Sequence, residues 1–307
     1  GAPLAAVAHA AAVFFLSRSV LFPAFGIDPE SPGGRSLSVC CSFGNAGTMP
    51  LIFAEALFRS RPDVLAECYS QISLFLVGWS PFFWSFGRGV MIPDADASGG
   101  GTGRMRKDLW RMFPPPVVGT AAGLAVAATP LRKLFVSSAG AGGTPALGAL
   151  YNSLLNFGRA ANPLALLVLS SSLAVGAGLG KPDPSTAPPP PPAVPDSAVP
   201  SGPSPLRRLA CISVARSLVS PLVMVAILRI LQKIGAVGAP RENPAQWFVL
   251  LLESAVPPAQ NSVLMLQVAG RGEEAGELAK FLLGSYAVSS VFLILTVTLA
   301  LSKLGLA

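Results

Sequence analysis

Residues 254–262 read Ser-Ala-Val-Pro-Pro-Ala-Gln-Asn-Ser and interrupt an apolar run that extends from 247 to 269. Adjacent prolines remove two backbone donors and clash with the preceding helical turn. In lipid no water replaces the lost partners, so such a break survives only where it is buried in protein or lines a cavity. Polar side chains follow this break at once. A second interruption, Gly44-Asn45-Ala46-Gly47-Thr48-Met49-Pro50, lies within the apolar run 37–58. Two interrupted apolar segments at corresponding places in the two halves of a chain are the pattern from which a membrane carrier's binding site is read.

The lipid premise rests on composition. The 307 residues are 51% hydrophobic and only 12% charged, where soluble domains carry roughly a quarter charged residues. Eight apolar segments follow one another, at 3–16, 37–58, 69–91, 115–131, 147–179, 206–231, 247–269 and 278–302. Most reach the ~17–25 residues that span a bilayer. The expected fold class is therefore an all-α polytopic membrane protein. The net charge of +7 needs no nucleic acid to explain it, because membrane proteins concentrate Lys and Arg in cytoplasmic loops. Placing Arg104, Arg106, Lys107 and Arg111 in the cytoplasm gives the right sign of bias, with the C-terminus on the opposite side.

The segments 3–16, 37–58 and 69–91 share a plan with 206–231, 247–269 and 278–302: one span, one broken span, then an aromatic or β-branched span. This predicts an inverted-repeat transporter fold with two broken crossing helices, in which eight spans are present of an expected ten and the two absent ones precede residue 1. The predicted organisation is an N-terminal repeat at 1–92, a short basic cytoplasmic loop at 93–112, and a C-terminal repeat of five helices at 113–307. The last contains a proline-rich loop at 180–205, whose unbroken run 188–192 suits an extended chain.

At each break, unwound backbone presents free N–H and C=O groups, and the N-terminus of the following half-helix attracts anions. Asn45, Thr48, Gln260, Asn261 and Ser262 add neutral donors and acceptors. The pattern suits a small organic anion with an apolar body, the body resting on Phe43, Met49, Val256 or Met265. Four ionisable residues, Glu55, Arg159, Arg216 and Glu253, fall inside apolar segments, where a central charge costs at least ~2.5–3.5 kcal/mol. Glu253 and Arg159 are the candidates for a coupling site or an ion pair, with Arg216 a further partner for Glu253. Glu55 and Arg216 are expected at the membrane interface.

Other chemistries find little support. His9 is the chain's one histidine, and Cys40, Cys41, Cys68 and Cys211 match no zinc spacing, so neither metal nor cofactor is expected. Packed thiols behave as small hydrophobes. The serines Ser17, Ser80 and Ser170 sit in no nucleophile elbow, and no enzymatic activity is expected. The glycines at 119–123 and 176–180 have spacing for close helix packing.

The motifs carry a family resemblance. Phe-Gly-Asn-Ala-Gly-Thr-Met-Pro-Leu-Ile-Phe at 43–53 resembles the fourth-helix motif of the auxin efflux carrier family, in particular its PIN-LIKES branch. Ala-Val-Pro-Pro-Ala-Gln-Asn-Ser-Val-Leu-Met at 255–265 is similar to that branch's ninth-helix motif, and 115–135 resembles the sixth helix. The resemblance implies ten helices in two inverted five-helix repeats and a secondary carrier of auxin (indole-3-acetate) or a similar anion. It places Asn45 and Pro50 at one crossing and Pro257, Pro258 and Asn261 at the other. The short 93–111 loop resembles the branch associated with the endoplasmic reticulum, with the plasma membrane as the alternative. Thr48 stands where the family often has a second Asn, and Arg159 where a small or acidic residue is commoner. The expected partners are the anion, the bilayer and a second copy in a homodimer; a carrier of another anion such as malonate, or a non-transporting receptor, are the competing readings.

Overall fold

The computed structural model describes residues 1–93, 115–136, 145–176 and 204–306. The predicted basic loop at 93–112 and the proline-rich loop at 180–205 lie almost wholly outside them. Among the described residues the chain is helical and forms no strand. The helices are α1 Ala2–Phe25, α2 Pro32–Ser42, α3 Thr48–Phe58, α4 62–91, α5 Pro115–Ala128, α6 Arg132–Phe135, α7 Gly148–Gly176, α8 Pro205–Lys233, α9 Pro244–Ala255, α10 Asn261–Val268 and α11 Gly272–Leu304. Among the described residues α1, α8 and α11 are each long and apolar enough to cross a membrane unaided.

Helix α1 shows why these segments pack as they do. Its buried residues are Ala2, Ala5, Ala6, His9, Ala10, Val13 and Phe14, a stripe at helical spacing with alanine at four of its seven places. Small faces let helix backbones approach closely. Gly78 of α4 meets this face, and a Cβ there would overlap the backbone of Pro3. On the outer faces, Phe15, Leu222, Leu283 and Ile294 are exposed. Helices apolar on both faces belong in lipid, so the surroundings of this molecule are a bilayer.

Helices α1 and α8 each contain a wide π turn, Ser17–Leu21 and Ala215–Val219. Both turns carry Arg-Ser (Arg18-Ser19, Arg216-Ser217) followed by a proline, Pro23 or Pro221. A proline in mid-helix supplies no N–H to the carbonyl four residues back, and a π turn is one way for the chain to absorb that loss. Helix α7, by contrast, runs on through Pro163.

The two interrupted segments fold as pairs of half-helices, α2 with α3 and α9 with α10. Two apolar clusters surround them. One, built on Phe43, Phe75, Trp79, Phe83, Ile212 and Leu250, packs around the breaks. The other, with Ala54, Phe58, Cys68, Phe248 and Leu293, lies along α3, α4, α9 and α11.

Candidate functional site

The two breaks meet. Asn45 donates its backbone N–H to the Pro257 carbonyl at 2.8 Å, and Ala259 donates to the Phe43 carbonyl at 3.0 Å. Gly44 and Pro258 thereby face each other in an isolated antiparallel bridge. Phe43 and Val256 hold extended backbone (φ −112°, ψ 111° and φ −61°, ψ 148°), which ends α2 and α9 and turns both links into the pairing.

The buried carbonyls of the second link are all accounted for. Val256 accepts from Arg216, Pro257 from Asn45 N–H, and Pro258 from the Tyr286 hydroxyl at 2.9 Å. Ala259 and Gln260 accept from Ser262 and Val263. The two prolines bring no N–H that would need a partner, so the double proline leaves no orphan donor in a segment that is buried throughout. An unpaired buried polar group would cost about 1–3 kcal/mol.

Arg216 lies here, and its placement corrects the expectation of an interfacial residue. It is 1% exposed. Its Nε and Nη2 both donate to the Val256 carbonyl, and Nη1 donates to the Cys41 carbonyl at 3.4 Å and to Ser220 Oγ at 3.3 Å. Ser220 spends its single proton on the Ser254 carbonyl at 2.6 Å. Its oxygen therefore accepts from the Nε2–H of His9, 3.0 Å away. Helices α1, α2, α8 and α9 are joined through this one group of side chains.

The other side of the pairing opens into a cavity of about 470 Å³, within the size range of small-molecule sites. The half-helices α3 and α10 begin at it, with Gly47 and Gln260 at their caps and no side-chain cap on either. Asn45, Thr48, Gln260 and Asn261 line it. The Nδ2 of Asn45 donates to the Tyr286 hydroxyl at 2.9 Å. Pro257 and Pro258 form the pairing itself and do not line the cavity, and Pro50 is buried in the first turn of α3.

The apolar wall differs from expectation. Phe43, Val256 and Met265 are buried in the core and lie outside the cavity. Phe43 is surrounded by the rings of Trp79, Phe82 and Phe83 at 5.3–6.0 Å between centroids. The body of a ligand would instead meet Leu76, Val77, Trp79 and Trp84 of the 62–91 helix. These belong to the aromatic segment expected as a span at 69–91, and nothing in its composition tells lining rings from packing rings.

Glu253 lies one turn before Val256 and is 2% exposed, with neither carboxylate oxygen hydrogen-bonded. No ion pair joins it to Arg216 among the described residues. Arg159 sits on α7, and its side chain lies outside the described residues. Glu55 is exposed on α3. A larger hollow of about 800 Å³ lies away from the breaks, and its charged rim of Arg208, Glu274, Glu277 and Lys280 favours neither sign.

Two curated proteins of Arabidopsis thaliana align with this chain. Protein PIN-LIKES 1 is 26% identical over 298 residues, covering 83% of this chain and 56% of that protein. The chain is thus similar to a PIN-LIKES protein. Protein PIN-LIKES 3 is 24% identical over 301 residues, covering 83% of this chain and 69% of that protein. The chain thus spans little more than half the length of the first of these relatives. They bear out the branch of the auxin efflux carrier family to which the motifs at 43–53 and 255–265 point. No family model and no solved structure matches the chain.

Proposed function

We propose that this chain belongs to a secondary carrier for a small organic anion with an apolar body, indole-3-acetate or a similar monocarboxylate, and that the cavity at the paired breaks is its substrate site. One observation carries the reading. The links 43–47 and 256–260 hydrogen-bond to each other, so that α3 and α10 both present their N-terminal ends to one cavity. Helix N-termini favour negative charge. A carboxylate would meet the amide groups around Thr48 and Asn261 together with the side chains of Asn45 and Asn261. Its body would lie against Trp79 and Trp84.

The same reading organises the chain into two inverted repeats, 1–92 and 113–307, whose eight apolar segments each cross the bilayer. The two Arg-Ser π turns and the two broken pairs at α2/α3 and α9/α10 support it. The short loop at 93–111 favours the endoplasmic reticulum membrane, following the resemblance, and a role in intracellular auxin homeostasis.

Uptake tests this. Cells producing the chain should change their retention of radiolabelled indole-3-acetate, and Asn45→Ala or Asn261→Ala should abolish the change. If malonate moves in its place, the fold reading stands and the substrate assignment falls. No flux of any of several organic anions, from a protein that reaches the membrane, would overturn the carrier reading.

A further inference from the structure

Arg216 is a full charge in the interior of the molecule, and its hydrogen bonds say what it does. A guanidinium has five N–H donors. Four are directed at protein atoms: two at the Val256 carbonyl, one at the Cys41 carbonyl and one at Ser220 Oγ. The remaining one lies on Nη2, against Gly44, where a Cβ would overlap it. That fifth donor is turned to the Gly44 backbone, and Arg216 does not line the cavity. It therefore does not bind the anion itself.

The two carbonyls it holds are equivalent in kind. Val256 caps α9, and Cys41 is in the last turn of α2. These are the negative ends of the two first half-helices. Left unneutralised, they would oppose the positive N-terminal ends of α3 and α10 at the same crossing. We propose that Arg216 is the positioning residue of the crossing: it ties both carbonyl ends together and cancels their negative field, so that the cavity is left selective for anions over neutral molecules of the same shape. The selectivity part rests on the reading of the cavity as an anion site; the tying part does not.

Arg18 is the natural control. It occupies the same Arg-Ser π turn in α1, but it is partly exposed and pairs with Glu30. The four cysteines report on the crossing without any ligand. All are free and buried. Cys40 and Cys41 lie at the end of α2 beneath Arg216, whereas Cys68 belongs to the separate cluster along α3, α4 and α9.

The purified chain and its R216Q, R216K and R18Q variants are treated with N-ethylmaleimide and the modified cysteines mapped. Binding of indole-3-acetate is compared with that of its uncharged amide. In R216Q, Cys40 and Cys41 should become reactive while Cys68 stays protected, and the acid-over-amide preference should fall about tenfold, the scale of a charge at helix ends in a partly buried site. R216K, which keeps the charge but not the fork, should regain much of the preference and less of the cysteine protection. R18Q should match the wild type in both. Wild-type labelling and an unchanged preference in R216Q would overturn the proposal, as would labelling of Cys68 to the same extent as Cys41, which would make Arg216 a general support of the fold. If the wild type binds neither ligand, the anion-site reading fails with the selectivity part, and the cysteine pattern alone decides the tying part.

Discussion

The side-chain amide of Asn45, at the paired breaks, donates to the hydroxyl of Tyr286, 2.9 Å away. That hydroxyl donates in turn to the carbonyl of Pro258 at 2.9 Å. One phenol from α11 thus fixes both the side chain of the first break and the backbone of the second. Tyr286→Phe removes the acceptor of Asn45 and the donor to Pro258 while keeping the ring. A buried carbonyl left unpaired costs about 1–3 kcal/mol. The variant should melt at lower temperature in detergent and bind a carboxylate ligand severalfold more weakly, because Asn45 is no longer held towards the cavity. A variant with wild-type affinity would remove Tyr286 from the site.

The glycines of the first break separate packing from flexibility. A Cβ on Gly44 would overlap the Arg216 guanidinium and crowd the Val256 side chain, whereas a Cβ on Gly47 meets nothing within 4 Å. Overpacking a close-fitted site costs about 1–3 kcal/mol. Gly44→Ala should therefore lose stability in that range, and Gly47→Ala should stay within about 0.5 kcal/mol of the wild type. Equal melting temperatures for the two variants would contradict the tight fit at Gly44.

Phe43 and Trp84 do different things. Phe43 is fully buried against Trp79, Phe82 and Phe83, while Trp84 lines the cavity and is half-buried. Phe43→Ala should cost about 3–5 kcal/mol, with Phe43→Leu keeping ligand affinity at a smaller loss. Trp84→Leu should do the reverse, leaving the melting temperature almost unchanged and weakening an aromatic ligand relative to an aliphatic carboxylate. Thermal melts and competition binding on the same preparations separate the two roles.

The backbone logic of the breaks is legible in the amino-acid sequence, because proline chemistry and the lack of water in lipid leave few solutions. Asn45, Thr48, Gln260 and Asn261 follow from that logic. Arg216 does not lie at the interface where its nearness to a helix end suggests, although the signal of its true place is present. It lies ten residues into the apolar run 206–231, where a charge is too costly to be incidental. Tyr286 carries no such signal, since one tyrosine in an apolar helix looks the same whether its hydroxyl is bonded or idle. The division between lining rings (Trp79, Trp84) and packing rings (Phe75, Phe83) depends on which side of the 62–91 helix faces the links. That is a tertiary fact with no trace in local composition.

Glu253 is the last residue whose role the geometry constrains. It is buried on α9, one turn before the carbonyl that Arg216 holds, and neither of its oxygens receives a hydrogen bond. A buried ion pair broken on one side loses about 3–5 kcal/mol. Glu253 has no such pair with Arg216 among the described residues, so Glu253→Gln should melt within about 1 kcal/mol of the wild type. Glu253→Leu, which removes both unpartnered oxygens, should be as stable or more so, since a buried polar group without a partner is a cost to the folded state. A fall of several kcal/mol in Glu253→Gln would instead reveal a charged partner and make Glu253 structural. With stability preserved, transport measured in acid and neutral media tests Glu253 as a coupling residue: in that role the wild type depends on pH and Glu253→Gln does not. The same pH dependence in both would take Glu253 out of the coupling step.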